Sequence, residues 1–148
     1  LLAKAKANTQ VKIDYEPDKM IGVIKLAAEK SNWGKSKAGV FQGFSAYYSH
    51  NTYVAQVAEV VLQDNQPKVQ KIICAIDCGI VINPISALNQ VEGGIIDGIG
   101  HALFGELNFT DGVPQADNFN KYRLIKMAEA PLVETFFVPS YNDPTGLG

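Results

Sequence analysis

Positive charge is sparse and unclustered in this chain. Among 148 residues there is a single arginine, Arg123, and the net charge is −2. The lysines are scattered, the densest group being Lys4, Lys6 and Lys12. Nucleic-acid binders gather basic side chains into a stripe or patch, so no nucleic-acid partner is expected. No apolar run approaches the roughly 20 residues that a membrane-spanning helix needs, so no membrane span is expected. No secretory-signal pattern is present. The chain opens Leu1-Leu2 without a methionine, as an excised piece of a longer protein would, and no compartment is assigned. Only two cysteines occur, Cys74 and Cys78 in CAIDC. Their spacing is not the zinc-type C-x-x-C, and in a strand they would lie about 13 Å apart, beyond disulfide reach. Buried free thiols are the expectation. His101 and Glu106 are five apart and do not share a helix face, so they make no H-E-x-x-H zinc pair. Ser45, Ser49 and Ser86 have no visible His/Asp partner for nucleophilic catalysis.

What is present fits one domain or a piece of one. The length allows burial of about 70% of the unfolded chain's surface. Residues 1–13 are Lys/Ala-rich, show no clear partner face and are expected to be poorly ordered. From Glu16 a helix is predicted: Pro17 suits its first position and Asp18 its positive end. Met20, Ile21, Ile24, Ala27 and Ala28 recur at spacings of three and four, and Gly34 is a natural stop. AGVFQGFSAYYSH then reads as a strand, and TYVAQVAEVVL as a second whose two apolar faces place it centrally in a sheet. Gln63–Lys68 reads as a turn, and VQKIICAIDCGIV as a third strand, antiparallel to the second, with Ile72, Cys74, Ile76 and Cys78 on one face. Asp77 either caps the following turn or faces a site. Further on, Asp111-Gly112 marks a turn between short extended pieces, residues 117–131 read as mostly irregular, and VETFFVPS is a last strand. Asp143-Pro144-Thr145-Gly146 is a turn signal. The resulting fold class is α+β, a mixed or antiparallel sheet with two main helices packed on it.

One segment stands out. In NQVEGGIIDGIG four glycines fall within an apolar helical stripe that runs through Ile85, Leu88, Val91, Ile95, Ile99, Ala102 and Leu103. Asn83 is a good N-cap and Pro84 a good first residue, so one long helix over about 84–105 is predicted. A phosphate loop is disfavoured, because no Lys-Ser or Lys-Thr follows and the glycines come after the helix has begun. Each glycine costs such a helix about 1 kcal/mol relative to alanine. Gly94 and Gly98 share a face, and Gly93, Gly100 and Ala102 widen the small surface; it suits close approach by a sheet or by a flat ligand. A ligand site also needs a polar group there, and Gln90 supplies one.

Taken together, AAEKSNWGK, GFSAYYSHNTYVAQVAEVVL, CAIDCGIVINP, NQVEGGIIDGIGHALFGEL, DNFNKYRLIKMAEAP and VPSYNDPTGLG occur in an order that resembles the C-terminal part of the molybdopterin-binding large subunit of xanthine oxidase-type molybdenum hydroxylases. The branch it most resembles holds the isoquinoline 1-oxidoreductase beta subunit and aldehyde oxidoreductases. The likeness covers about residues 20–148. It implies a cofactor-binding role for Gln90, with Gly93 and Gly94 letting the helix lie close to the pterin of a molybdenum cofactor. It also implies that the P-T-G-x-G turn ending at Gly148 borders the cofactor and precedes a glutamate that acts as general base. That base takes a proton from a molybdenum-bound hydroxyl, which attacks an electron-poor carbon while hydride passes to Mo=S. The chain stops at Gly148, so no catalytic residue is assigned in it. The piece alone is expected to be inactive and to hold no cofactor stably. The implied partners are the remainder of the large subunit and a separate iron–sulfur subunit, since two cysteines cannot build a Cys₄ cluster site. SAYYSHNTYV departs from the form seen in that branch, so no single substrate is assigned. Two other readings compete: a non-catalytic scaffold that keeps the fold, and a nucleotide-binding module built on the glycines.

Overall fold

A computed structural model describes residues 2–7 and 14–147. Helix α1 spans Leu2–Ala7, α2 spans Pro17–Lys30, and strands β1, β2 and β3 span Phe41–Ser49, Thr52–Gln63 and Gln66–Asp77. The long helix α3 covers Pro84–Phe104. A two-residue ladder, β4 at Phe109–Thr110 with β5 at Val113–Pro114, flanks the Asp111-Gly112 turn. Two short 3₁₀ turns, at 119–121 and 127–129, follow, and β6 closes the fold at Leu132–Phe137.

The main sheet has the order β1-β2-β3-β6. The first two pairings are antiparallel and β3–β6 is parallel, so the sheet is mixed and the α+β expectation holds. Both hairpins turn on two residues with positive φ, His50-Asn51 and Asp64-Asn65. Such turns match the right-handed twist of the strands they join. The six-residue turn expected at Gln63–Lys68 is therefore only two residues long, and both strands run on to meet it.

Each helix takes one face of the sheet. Residues 53, 55 and 57 of β2 and 73 and 75 of β3 point to α2, where they bury Met20, Val23 and Ala27. The alternate positions Ile72, Cys74 and Ile76 point to α3 and meet Val91 and Ile95. This is the period-two alternation of a sheet buried on both sides. Pro17 stands at the start of α2 with Asp18 in its first turn. The Asn83 side chain accepts from the Ser86 amide at 3.1 Å, the predicted cap of α3. Helix α1, for which no partner face is legible in the sequence, packs Leu2 against the α2-side core and pairs Lys6 with Asp18 at 2.8 Å. The rest of residues 1–13 lies outside the described residues.

Candidate functional site

Helix α3 covers the β3–β6 half of its face and leaves the β1–β2 half open. The result is a groove of about 610 Å³ between α3 and the sheet. Along its helix wall Gln90, Gly94, Gly98 and Ala102 recur at steps of four, beside Val91, Ile95 and Ile99, and its floor is Val54, Gln56, Ile72, Cys74 and Ile76. Tyr47, Ser49 and Thr52 border it from the first hairpin, and Gly146 and Leu147 from the chain's last described turn.

The glycines divide by what surrounds them. A Cβ placed on Gly94 or Gly98 would meet nothing within 4 Å. On Gly100 it would lie 3.1 Å from Ile125 Cγ2, so that glycine serves helix packing against the segment after β5. Gly93 also has open space, but it borders a different hollow, with Asp97, His101 and Tyr122. Of the four residues expected to bind cofactor, the structure brings Gln90 and Gly94 together on the groove and turns Gly93 away from it. Gly148 lies outside the described residues.

No lining residue of the groove carries a charge. Its polar groups are two carboxamides and three hydroxyls, each a neutral donor and acceptor. Cys74 is wholly buried in the floor. Burial pushes its thiol up to about 12, against a smaller opposing effect of a hydrogen bond with Gln56. Burial also raises the Cys78 thiol, with the Asp77 charge adding to it. Both cysteines are free and buried, as expected, and neither is a nucleophile at neutral pH. Asp77 caps its own turn, accepting from the Gly79 amide at 3.4 Å. Among the described residues no three His, Cys, Asp or Glu side chains converge as a metal site, and no helix is long and apolar enough to cross a membrane. His101 lies 3.5 Å from Asp97 and 3.3 Å from the Tyr122 hydroxyl, at the surface and away from the groove.

Sequence reasoning missed Gln56 and the hairpin residues. Gln56 had a signal: it is the one polar residue inside the apolar run YVAQVA. Thr52 shares the face of Gln56 by strand alternation alone, whereas Tyr47 and Ser49 had no signal, because only the pairing of β1 with β2 brings them there.

Residues 4–131 match the family model of the molybdopterin cofactor-binding domain. The chain belongs to this family. Among its relatives is the isoquinoline 1-oxidoreductase subunit beta of Brevundimonas diminuta, 34% identical over 84% of this chain and 17% of that protein. A second is the membrane-bound aldehyde dehydrogenase (pyrroloquinoline-quinone) of Gluconacetobacter polyoxogenes, 31% identical over 89% of this chain and 19% of that protein. A xanthine dehydrogenase molybdenum-binding subunit of Escherichia coli O157:H7 is 36% identical over 51% of this chain. The chain thus spans under a fifth of the length of the curated relatives it matches. The fold is shared with CO dehydrogenase from Oligotropha carboxidovorans, at a TM-score of 0.53 and 23% identity over 59% of this chain and 11% of that one. Quinoline 2-oxidoreductase from Pseudomonas putida 86 is similar, with a TM-score of 0.51 and 23% identity over 60% of this chain and 12% of that one. These molybdopterin cofactor-binding domain relatives include named subunits of larger assemblies.

Proposed function

We propose that this molybdopterin cofactor-binding domain is part of the large subunit of a molybdenum hydroxylase that oxidises N-heterocycles or aldehydes with water as oxygen source. The observation that carries the reading is the wall Gln90–Gly94–Gly98–Ala102. Its two middle residues have no side chain, and it opens on a groove that nothing in the described chain fills. Glycines are unfavourable in a helix interior, and packing within the fold accounts for Gly100 but not for Gly94 or Gly98.

The wall fits the edge of a pterin. A flat ring can lie over Gly94, and the Gln90 carboxamide has the donor and acceptor to meet ring-edge groups. The wall does not by itself suit the phosphate, since no Lys, Arg or His lines it. The remainder of the large subunit would complete the site. When bound, the molybdenum cofactor supplies oxygen transfer and takes up two electrons. This chain's Gln90 and Gly94 on the wall, with Leu147 at the rim, would hold it. Gly93, on the far side of α3, has no part in this wall. No acid lines the groove, so the general base comes from outside the described residues, and the piece alone is inactive and retains no cofactor. A separate iron–sulfur subunit, the partner that the resemblance to molybdenum hydroxylases implies, would take up the electrons. The names of the relatives support N-heterocycles and aldehydes as substrate classes.

The test is the intact large subunit, purified with its partner from a host that makes the cofactor. Molybdenum near one per subunit, and ¹⁸O from labelled water in the product, are expected. Gln90→Ala should cut the molybdenum content about tenfold, the effect of losing well-made hydrogen bonds to a buried ligand. An intact subunit that carries no molybdenum leaves the non-catalytic scaffold in its place.

A further inference from the structure

The last described residues cross the molecule rather than trail from it. Three backbone hydrogen bonds hold them: Ile80 N–H to the Asn142 carbonyl at 3.0 Å, Thr145 N–H to the Cys78 carbonyl at 2.9 Å, and Gly146 N–H to the His50 carbonyl at 3.3 Å. The strand β3 exit and the β1–β2 hairpin thus grip the segment from two sides. Gly79 makes room for it. This glycine has φ +71°, and a Cβ there would lie 2.1 Å from the Asp143 carbonyl oxygen.

At the centre of the grip is Thr52, a buried polar residue. Its hydroxyl donates to the Gly146 carbonyl at 2.6 Å and lies 2.7 Å from the Thr145 hydroxyl. A threonine hydroxyl has one proton. With that proton given to Gly146, the Thr145 hydroxyl is the donor of the second bond. One buried oxygen on the hairpin therefore ties both a side chain and the backbone of a segment more than 90 residues away. Gly146, fixed in this way, and the adjoining Leu147 border the groove whose far wall begins at Gln90.

We infer that Thr52, with Gly79, clamps residues 142–147 across the groove mouth, and that Thr52 is a positioning residue for whatever binds between Leu147 and Gln90. That the ligand is a molybdenum cofactor with its substrate rests on the function proposed above; the clamp does not.

The experiment compares Thr52→Val, Thr52→Ser and the unmodified protein in the intact large subunit. Amide hydrogen exchange of Thr145 and Gly146 is read beside that of β2 and β3. Thr52→Val keeps the shape and removes the hydroxyl, so exchange at the two amides should rise about tenfold while the strands stay protected. Thr52→Ser should restore protection. In the active enzyme, kcat/KM per molybdenum bound should fall with Thr52→Val and recover with Thr52→Ser. Unchanged exchange in Thr52→Val overturns the clamp, as does a rise spread equally over β2 and β3. Local release with unaltered kcat/KM overturns the positioning role. An unmodified subunit without molybdenum overturns the proposed function and leaves the clamp to be judged by exchange alone.

Discussion

At the residue scale, the floor of the groove is chemically quiet, and Cys74 shows why. Its thiol has no water to stabilise a thiolate, so its ionisation is pushed from the ordinary 9.0 to about 12. In an unfolded chain the same thiol ionises near its ordinary value. Between those two pH values the unfolded state binds fewer protons than the folded one, so stability is intact below about pH 9 and falls as pH rises toward 12. The slope from one such group approaches about 1.4 kcal/mol per pH unit. Urea unfolding followed from pH 8 to 10.5 should show this decline, and Cys74→Ala should remove about 1 kcal/mol per pH unit of it. Parallel pH curves for the two proteins would show that burial of this thiol does not control alkaline stability. The cysteines' burial was legible, since Cys74 stands in an apolar strand and Cys78 directly follows it. The Thr52–Thr145–Gly146 tie was not, because nothing local in Thr52 or in the Pro144–Gly146 turn signals a partner so far along the chain.

At the scale of elements, α3 combines two kinds of glycine, and substitution separates them. Ala at Gly94 or Gly98 meets no atom within 4 Å, so each change should stabilise the chain by about 0.5–1 kcal/mol through helix propensity and a less flexible unfolded state. Ala at Gly100 needs Ile125, whose Cγ2 would be 3.1 Å away, to give by a few tenths of an ångström. That crowding offsets the gain in helix propensity. Thermal melts should therefore rank Gly100→Ala below Gly94→Ala and Gly98→Ala. If Gly94→Ala lowered the melting temperature, Gly94 would have a structural role and the open wall would lose its meaning. The helix itself was legible because its stripe keeps period through the glycines, and Asn83-Pro84 marks its start. Strand existence was legible too, from composition and turn residues. The parallel pairing of β6 with β3 was not. Both strands satisfy the same local pattern, and only the crossing of α3 over the sheet decides which edge β6 joins. Helix α1 escaped for a similar reason: its anchor is one leucine on a core formed by distant residues.

At the scale of the whole molecule, the distribution of apolar surface is uneven. Two helices and a four-stranded sheet bury a compact centre, yet Ile82 and Ile85 at the start of α3 are about four-fifths and three-quarters exposed, at 80% and 75%. Phe119 and Met127, in the segment between β5 and β6, stand out at 96% and 89%. Tyr47 adds a third apolar region beside the groove. Large exposed apolar patches mark surfaces that a partner covers, and these side chains are candidates for such contacts. The chain spans under a fifth of its relatives' length, and under the function proposed above the remainder of a large subunit would be the cover. With a net charge of only −2, electrostatic repulsion between copies is weak. The 148-residue chain by itself should therefore self-associate, with sedimentation giving a weight-average mass that rises with concentration through about 10–100 µM, the affinity range of interfaces of modest area. Phe119→Ser combined with Met127→Ser should lower that mass at a given concentration without altering the melting temperature, because neither side chain belongs to the described core. A sedimentation coefficient that stays monomeric over the whole range would mean that these side chains are tolerated singly by solvent, and the case for a large covering partner would then rest on the groove alone.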